Sequence, residues 1–277
     1  MIRQLGISTR SVAIVAGLLG MVSLAIGAHA ALNKRALDAA KAIGTEQAMD
    51  AGKPARLALV IGNGHYPDAA APLVQPINDA RALTGTLRRN GFDVDVVEDA
   101  SKDDMERAIA RLKGKINKDA VVMLFFGGYG VQAGRHSYMI PVDARIWRES
   151  DIKREGISVE SVLEDIKELG AKAKLVVIDA SRRNPYERRF RSYSHGLAPI
   201  HAPDNALILT SATPGKVADD SRGQNSVLVS ELLNNFSTRA GLESVFNKTR
   251  ISISRASDGE QVPTVSSTLV EEVSLGG

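Results

Sequence analysis

From Arg56 onward the chain alternates short apolar runs with longer amphipathic stretches. Leu57–Ile61, Val94–Val97, Val121–Phe126, Leu175–Ile178 and Ala206–Leu209 are β-branched or aromatic and mostly continuous, as expected of strands buried on both faces. Between them apolar residues recur at helical spacing. Ala80, Leu83 and Leu87 share one face, with Asn78 or Asp79 as the expected N-cap. Met105, Ile109, Leu112 and Ile116 share another, behind Ser101 and Asp104 spaced as a capping box. Val159, Val162, Leu163 and Ile166 form a third face, opened by Ser158. Leu228, Leu232 and Phe236, then Leu242, Val245 and Phe246, predict two more helices. Strand, helix, strand, helix predicts an α/β fold: a mostly parallel sheet of about six strands with helices on both faces. In such a fold a site forms at the carboxyl ends of the strands.

The pattern defines one domain, residues 55–277. Residues 31–54, rich in Ala, Lys, Asp and Glu, read as a linker. Ahead of it, Arg3 and Arg10 precede an uncharged apolar run from Ser11 to Gly27, which ends in Ala28-His29-Ala30. A basic stretch, an apolar stretch and an A-x-A site are the parts of a secretory signal peptide over residues 1–30. The run is also at the lower limit for spanning a bilayer, so a retained membrane anchor is the alternative. Either predicts a folded part that is exported, periplasmic or extracellular, with membrane contact only if the segment is retained.

Composition narrows the function classes. Formal charge is +3 over 277 residues, and Arg3 and Arg10 account for two of those charges. The remainder, about +1, offers no driving force toward a phosphate backbone, so no nucleic-acid partner is expected. The chain has no cysteine, which excludes disulfides, a thiolate nucleophile and cysteine-ligated metal.

Two strand ends carry specific residues. Val121–Phe126 runs into Gly127-Gly-Tyr-Gly130, and Leu175–Ile178 into Asp179-Ala-Ser-Arg-Arg-Asn-Pro185. These resemble the two catalytic segments of bacterial caspase-like proteins, the metacaspase and orthocaspase branch of the clan CD, C14-type cysteine peptidases. In that family a strand followed by small-Gly-His-Gly supplies the base, and a strand followed by Asp-x-Cys supplies the nucleophile. Leu57–Asn63 with Tyr66, Pro76–Leu83, Tyr138–Asp143 and Gly196–Ala198 resemble other segments of the family, in the family's order. The resemblance covers about 200 residues and implies a caspase-like three-layer sandwich.

By that resemblance the histidine position holds Tyr129 and the cysteine position Ser181. The family reaction needs a readily ionised nucleophile and an imidazole. A serine depends on a base even more than a thiol does, and a phenol titrating near ~10 is a poor one. The resemblance therefore implies a pseudo-peptidase that binds or regulates. An active serine hydrolase on Ser181 is one alternative, with His65, His136, His195 or His201 as its base. A scaffold with a remnant site is the other.

The family's pocket for an Arg or Lys side chain is acidic, and its two aspartates match Asp79 and Asp179. Backbone amides near Gly130 and Ser181 match its oxyanion hole. The expected partner is accordingly a peptide or protein with exposed Arg or Lys. Arg182, Arg183, Arg188, Arg189 and Arg191 crowd the segment after Ser181, as a solvated basic loop, as a patch for anionic lipid if the anchor is retained, or as an intramolecular ligand of the acidic pocket. Asp219-Asp220 resembles the calcium-binding clusters of some metacaspases, but a lone acidic pair falls short of six to eight oxygen ligands. No metal and no cofactor are expected.

Overall fold

In the computed structural model, residues 55–67, 72–183, 185–186, 196–218, 223–236 and 240–274 are described here. The expected signal peptide or anchor and the linker lie outside these residues. So do His195, Arg188, Arg189, Arg191 and the Asp219-Asp220 pair. Among the described residues no helix is long and apolar enough to cross a membrane.

The five apolar runs are all strands: β1 (Arg56–Gly62), β2 (Asp93–Glu98), β3 (Val121–Gly127), β7 (Ala173–Asp179) and β8 (Ala206–Thr210). All five are parallel. A sixth strand, β9 (Thr264–Ser267), joins antiparallel to β8, giving the order β2-β1-β3-β7-β8-β9. Successive residues point to opposite faces, so Leu57, Leu59 and Ile61 enter one core and Ala58 and Val60 the other.

Helices cover both faces. On one side lie α1 (Gln75–Arg89), α5 (Val227–Phe236) and α6 (Leu242–Ala256), which bury Leu83, Leu87, Leu232 and Phe246. On the other lie α2 (Lys102–Lys113) and α4 (Val159–Glu168), which bury Met105, Leu112, Val162 and Ile166. The result is the expected three-layer α/β sandwich. Beyond the main sheet, β4 (Gly130–Ala133), β5 (His136–Met139) and the two-residue β6 (Ile157–Ser158) form a small antiparallel sheet, with α3 (Glu149–Glu155) between β5 and β6. Every strand of this small sheet is too short to show a period in sequence.

Local signals hold at α2 and α4. Ser101 and Asp104 form the reciprocal capping box, and Ser158 accepts the amide of Ser161. Gly114 ends α2 before Ile116, which packs on the core from outside the helix. The expectation for α1 is corrected. It starts at Gln75, so neither Asn78 nor Asp79 is its cap. Pro76 sits in its first turn, where a fixed φ suits the helix and no N–H is needed, and this places Asp79 one turn inside, facing the core.

Candidate functional site

Strands β3 and β7 run in register, with Gly127 opposite Asp179. Their following loops therefore leave the sheet side by side and continue to pair. Gly128 N–H donates to the Asp179 carbonyl at 3.3 Å, and Gly130 N–H to the Ala180 carbonyl at 3.0 Å. Glycine is required by this approach: a Cβ on Gly130 meets the Leu197 side chain at 2.6 Å and Ala180 Cβ at 2.8 Å. A Cβ on Gly128 meets the Tyr66 hydroxyl at 2.5 Å.

Tyr129 lies between these glycines, half-buried. Its ring meets that of Tyr66 edge to face, with centroids 4.8 Å apart, a favourable quadrupole arrangement. The Tyr66 hydroxyl accepts from the Tyr129 amide at 3.1 Å and donates to the Ile140 carbonyl at 2.9 Å. Complete burial pushes the Tyr66 phenol far above its ordinary range, more than its hydrogen bond with Tyr129 offsets. Tyr66 is thus a neutral fastener beneath the β3 loop.

Ser181 is 1 % exposed. Among the described residues its Oγ has no hydrogen-bond partner. Its amide donates to Ser211 Oγ at 3.3 Å, and its carbonyl accepts from Ala218 N–H at 2.6 Å. With Gly130 N–H held by Ala180, both amides matched to an oxyanion hole are occupied by the protein itself. The described histidines are elsewhere. His65 Nδ1 lies 2.6 Å from Asp99 Oδ2, on the β2 side of the sheet. His136 is exposed at the β4–β5 turn, and His201 is exposed ahead of β8.

Asp79 and Asp179 are 0 % and 2 % exposed, and near enough for the charge of Asp179 to act on Asp79. Asp79 Oδ1 accepts from Asn225 Nδ2 at 2.8 Å and from Ser226 N–H at 3.0 Å. Burial and then the nearby Asp179 charge raise the Asp79 carboxyl to about 7. The second oxygens, Asp79 Oδ2 and Asp179 Oδ2, are buried without hydrogen-bond partners among the described residues. Arg182, also buried, spans the two loops by donating to the carbonyls of Gly128 (2.9 Å) and Asp179. Its Nη1 is 3.8 Å from Asp179 Oδ1. Arg183, next along the chain, is exposed.

Three features escaped the sequence reading. Arg182 read as one member of a basic run. Ser211, and the Asn225–Ser226 turn, carry no local signal, since only the fold brings them to Ser181 and Asp79. Among the described residues no three His, Cys, Asp or Glu side chains group as metal ligands.

A family profile described as caspase domain matches residues 55–274. The chain belongs to the caspase-domain family. This caspase domain is also similar to two curated proteins. They are the human mucosa-associated lymphoid tissue lymphoma translocation protein 1 and its homolog in Mus musculus. Each is 29% identical over 136 residues, which make up 48% of this chain and 16% of the relative. The chain therefore matches only a small part of those proteins' length.

Proposed function

We propose that this caspase domain is a pseudo-peptidase that holds a basic side chain of a peptide or protein at Asp79 and Asp179 without cleaving it. The observation that carries the reading is a pair of buried oxygens, Asp79 Oδ2 and Asp179 Oδ2, that have no hydrogen-bond partner among the described residues. Buried carboxylate oxygens without donors are costly, and a guanidinium or ammonium group supplies both charge and donors. The resemblance of Asp79 and Asp179 to the family's acidic pocket points the same way. Loss of chemistry is supported by Tyr129 and Ser181 at the positions the resemblance makes catalytic, and by Ser181 Oγ, which has no hydrogen-bond partner among the described residues. Export of the domain, by a signal peptide or on an anchor, rests on Arg3, Arg10 and the apolar run after them.

A second reading, a scaffold with a packed remnant, is favoured by the occupied amides of Gly130 and Ser181 and by the Arg182 bridge. Calorimetric titration of the full chain with peptides ending in Arg, Lys or an uncharged residue separates the two. Binding restricted to basic peptides, weakened at least about tenfold by Asp179→Asn, is the expected result; no binding favours the remnant. Turnover is tested beside it. Wild type is expected to be silent on Arg and Lys substrates; cleavage after them by Tyr129→His with Ser181→Cys would show that the pocket is intact and only the chemistry was lost. Cleavage by wild type that Ser181→Ala abolishes would show a serine hydrolase instead.

A further inference from the structure

We infer that Asp79 relays the presence of a bound cation to the turn that opens α5, making that helix the place where occupancy of the acidic pair is read out. The inference rests on the binding reading above for its ligand. Its geometry is independent of that reading.

The two oxygens of Asp79 have different work. Oδ2 is buried and, among the described residues, has no donor, on a carboxyl that feels the charge of Asp179. Oδ1 receives Asn225 Nδ2 and Ser226 N–H, at 2.8 and 3.0 Å. Ser226 in turn caps α5, its Oγ accepting from Val229 N–H at 3.1 Å. One residue earlier in α1, Asn78 Nδ2 donates to the Gln224 carbonyl at 2.9 Å. Residues 224–226 are thus tied to α1 by three hydrogen bonds, and two of them end on Asp79, one half of the acidic pair.

Hydrogen bonds to a carboxylate are roughly twice as strong as those to a neutral acid, and negative charge at a helix N-terminus is favourable. A cation on Oδ2 holds Asp79 ionised and so tightens both bonds on Oδ1. The effect passes to a rigid body, because α5 buries Leu228, Val229 and Leu232 in the core shared with α6. From β7 comes Asp179, which opposes ionisation of Asp79, with Arg182 beyond it. From the α5 side, among the described residues, come the neutral donors Asn225 and Ser226.

The test follows backbone amides of the full-length protein by NMR and hydrogen exchange. Without ligand, the Ser226 amide resonance is expected to titrate between pH 5.5 and 8.5 with a midpoint near about 7, and to stay flat in Asp79→Asn. In Asp179→Asn the step is expected to persist at lower pH. A flat Ser226 resonance in the wild type overturns the inference whatever binds. In the second arm a peptide ending in Arg is added at pH 6.5. Exchange of the amides at 226–230 is expected to slow on the order of tenfold. A peptide that binds without changing that exchange overturns the relay and leaves the binding reading intact. A peptide that fails to bind while Ser226 still tracks pH overturns the binding reading, and with it the relay of a ligand.

Discussion

Asp79 is the residue whose energetics are most exposed to measurement. An ordinary carboxyl titrates near 3.8, and burial with the Asp179 charge moves this one to about 7. Between those values the folded state holds a proton that the unfolded chain gives up, so stability falls as pH rises through that window and levels off above it. Asp79→Asn keeps an acceptor for Asn225 and Ser226 while removing the charge. It is expected to match wild type below about pH 4 and to exceed it by about 1–2 kcal/mol at pH 8, which denaturant unfolding at the two pH values checks. For the same reason, affinity for an Arg peptide is expected to rise from pH 6 to pH 8, and calorimetry across that range tests it. At Gly130 the constraint is steric. Gly130→Ala forces a methyl against Leu197 and Ala180, and is expected to cost about 1–3 kcal/mol in a chemical melt.

At the scale of elements, what was legible in the sequence followed from pattern strength. The five parallel strands are buried on both faces, so their apolar runs are unbroken and readable. Ser101 and Ser158 announce α2 and α4 because a cap is a local interaction between residues three apart. Ser101→Ala is expected to cost about 1 kcal/mol, visible as an earlier thermal transition. The start of α1 was misplaced because Asn78 and Asp79 look like caps, whereas their side chains are spent on Gln224, Asn225 and Ser226, nearly 150 positions away. No local rule reaches that far. The positions of Tyr129, Ser181, Asp79 and Asp179 could be named from the resemblance. Their burial, the orphaned oxygens and the role of Arg182 required the packed loops.

For the whole molecule, the β2 edge of the main sheet carries a row of charges. Along β2, Asp93, Asp95 and Glu98 pair with Lys115, Arg111 and Arg81. Exposed pairs of this kind add little stability, but charges on an edge strand discourage pairing with another chain. Replacing all three acids with Thr is expected to leave the melting temperature nearly unchanged while raising self-association, which light scattering at increasing concentration detects.

The frame around positions 129 and 181 consists largely of peptide groups: Gly128 to Asp179, Gly130 to Ala180, Ile140 to Tyr129, Ala218 to Ser181. Main-chain bonds do not depend on which side chain a residue bears. A conservative change of side chain at 129 or 181 is therefore expected to leave these four bonds in place. The shape of the two loops is in this sense written in the backbone, and the side chains at 129 and 181 are carried on it.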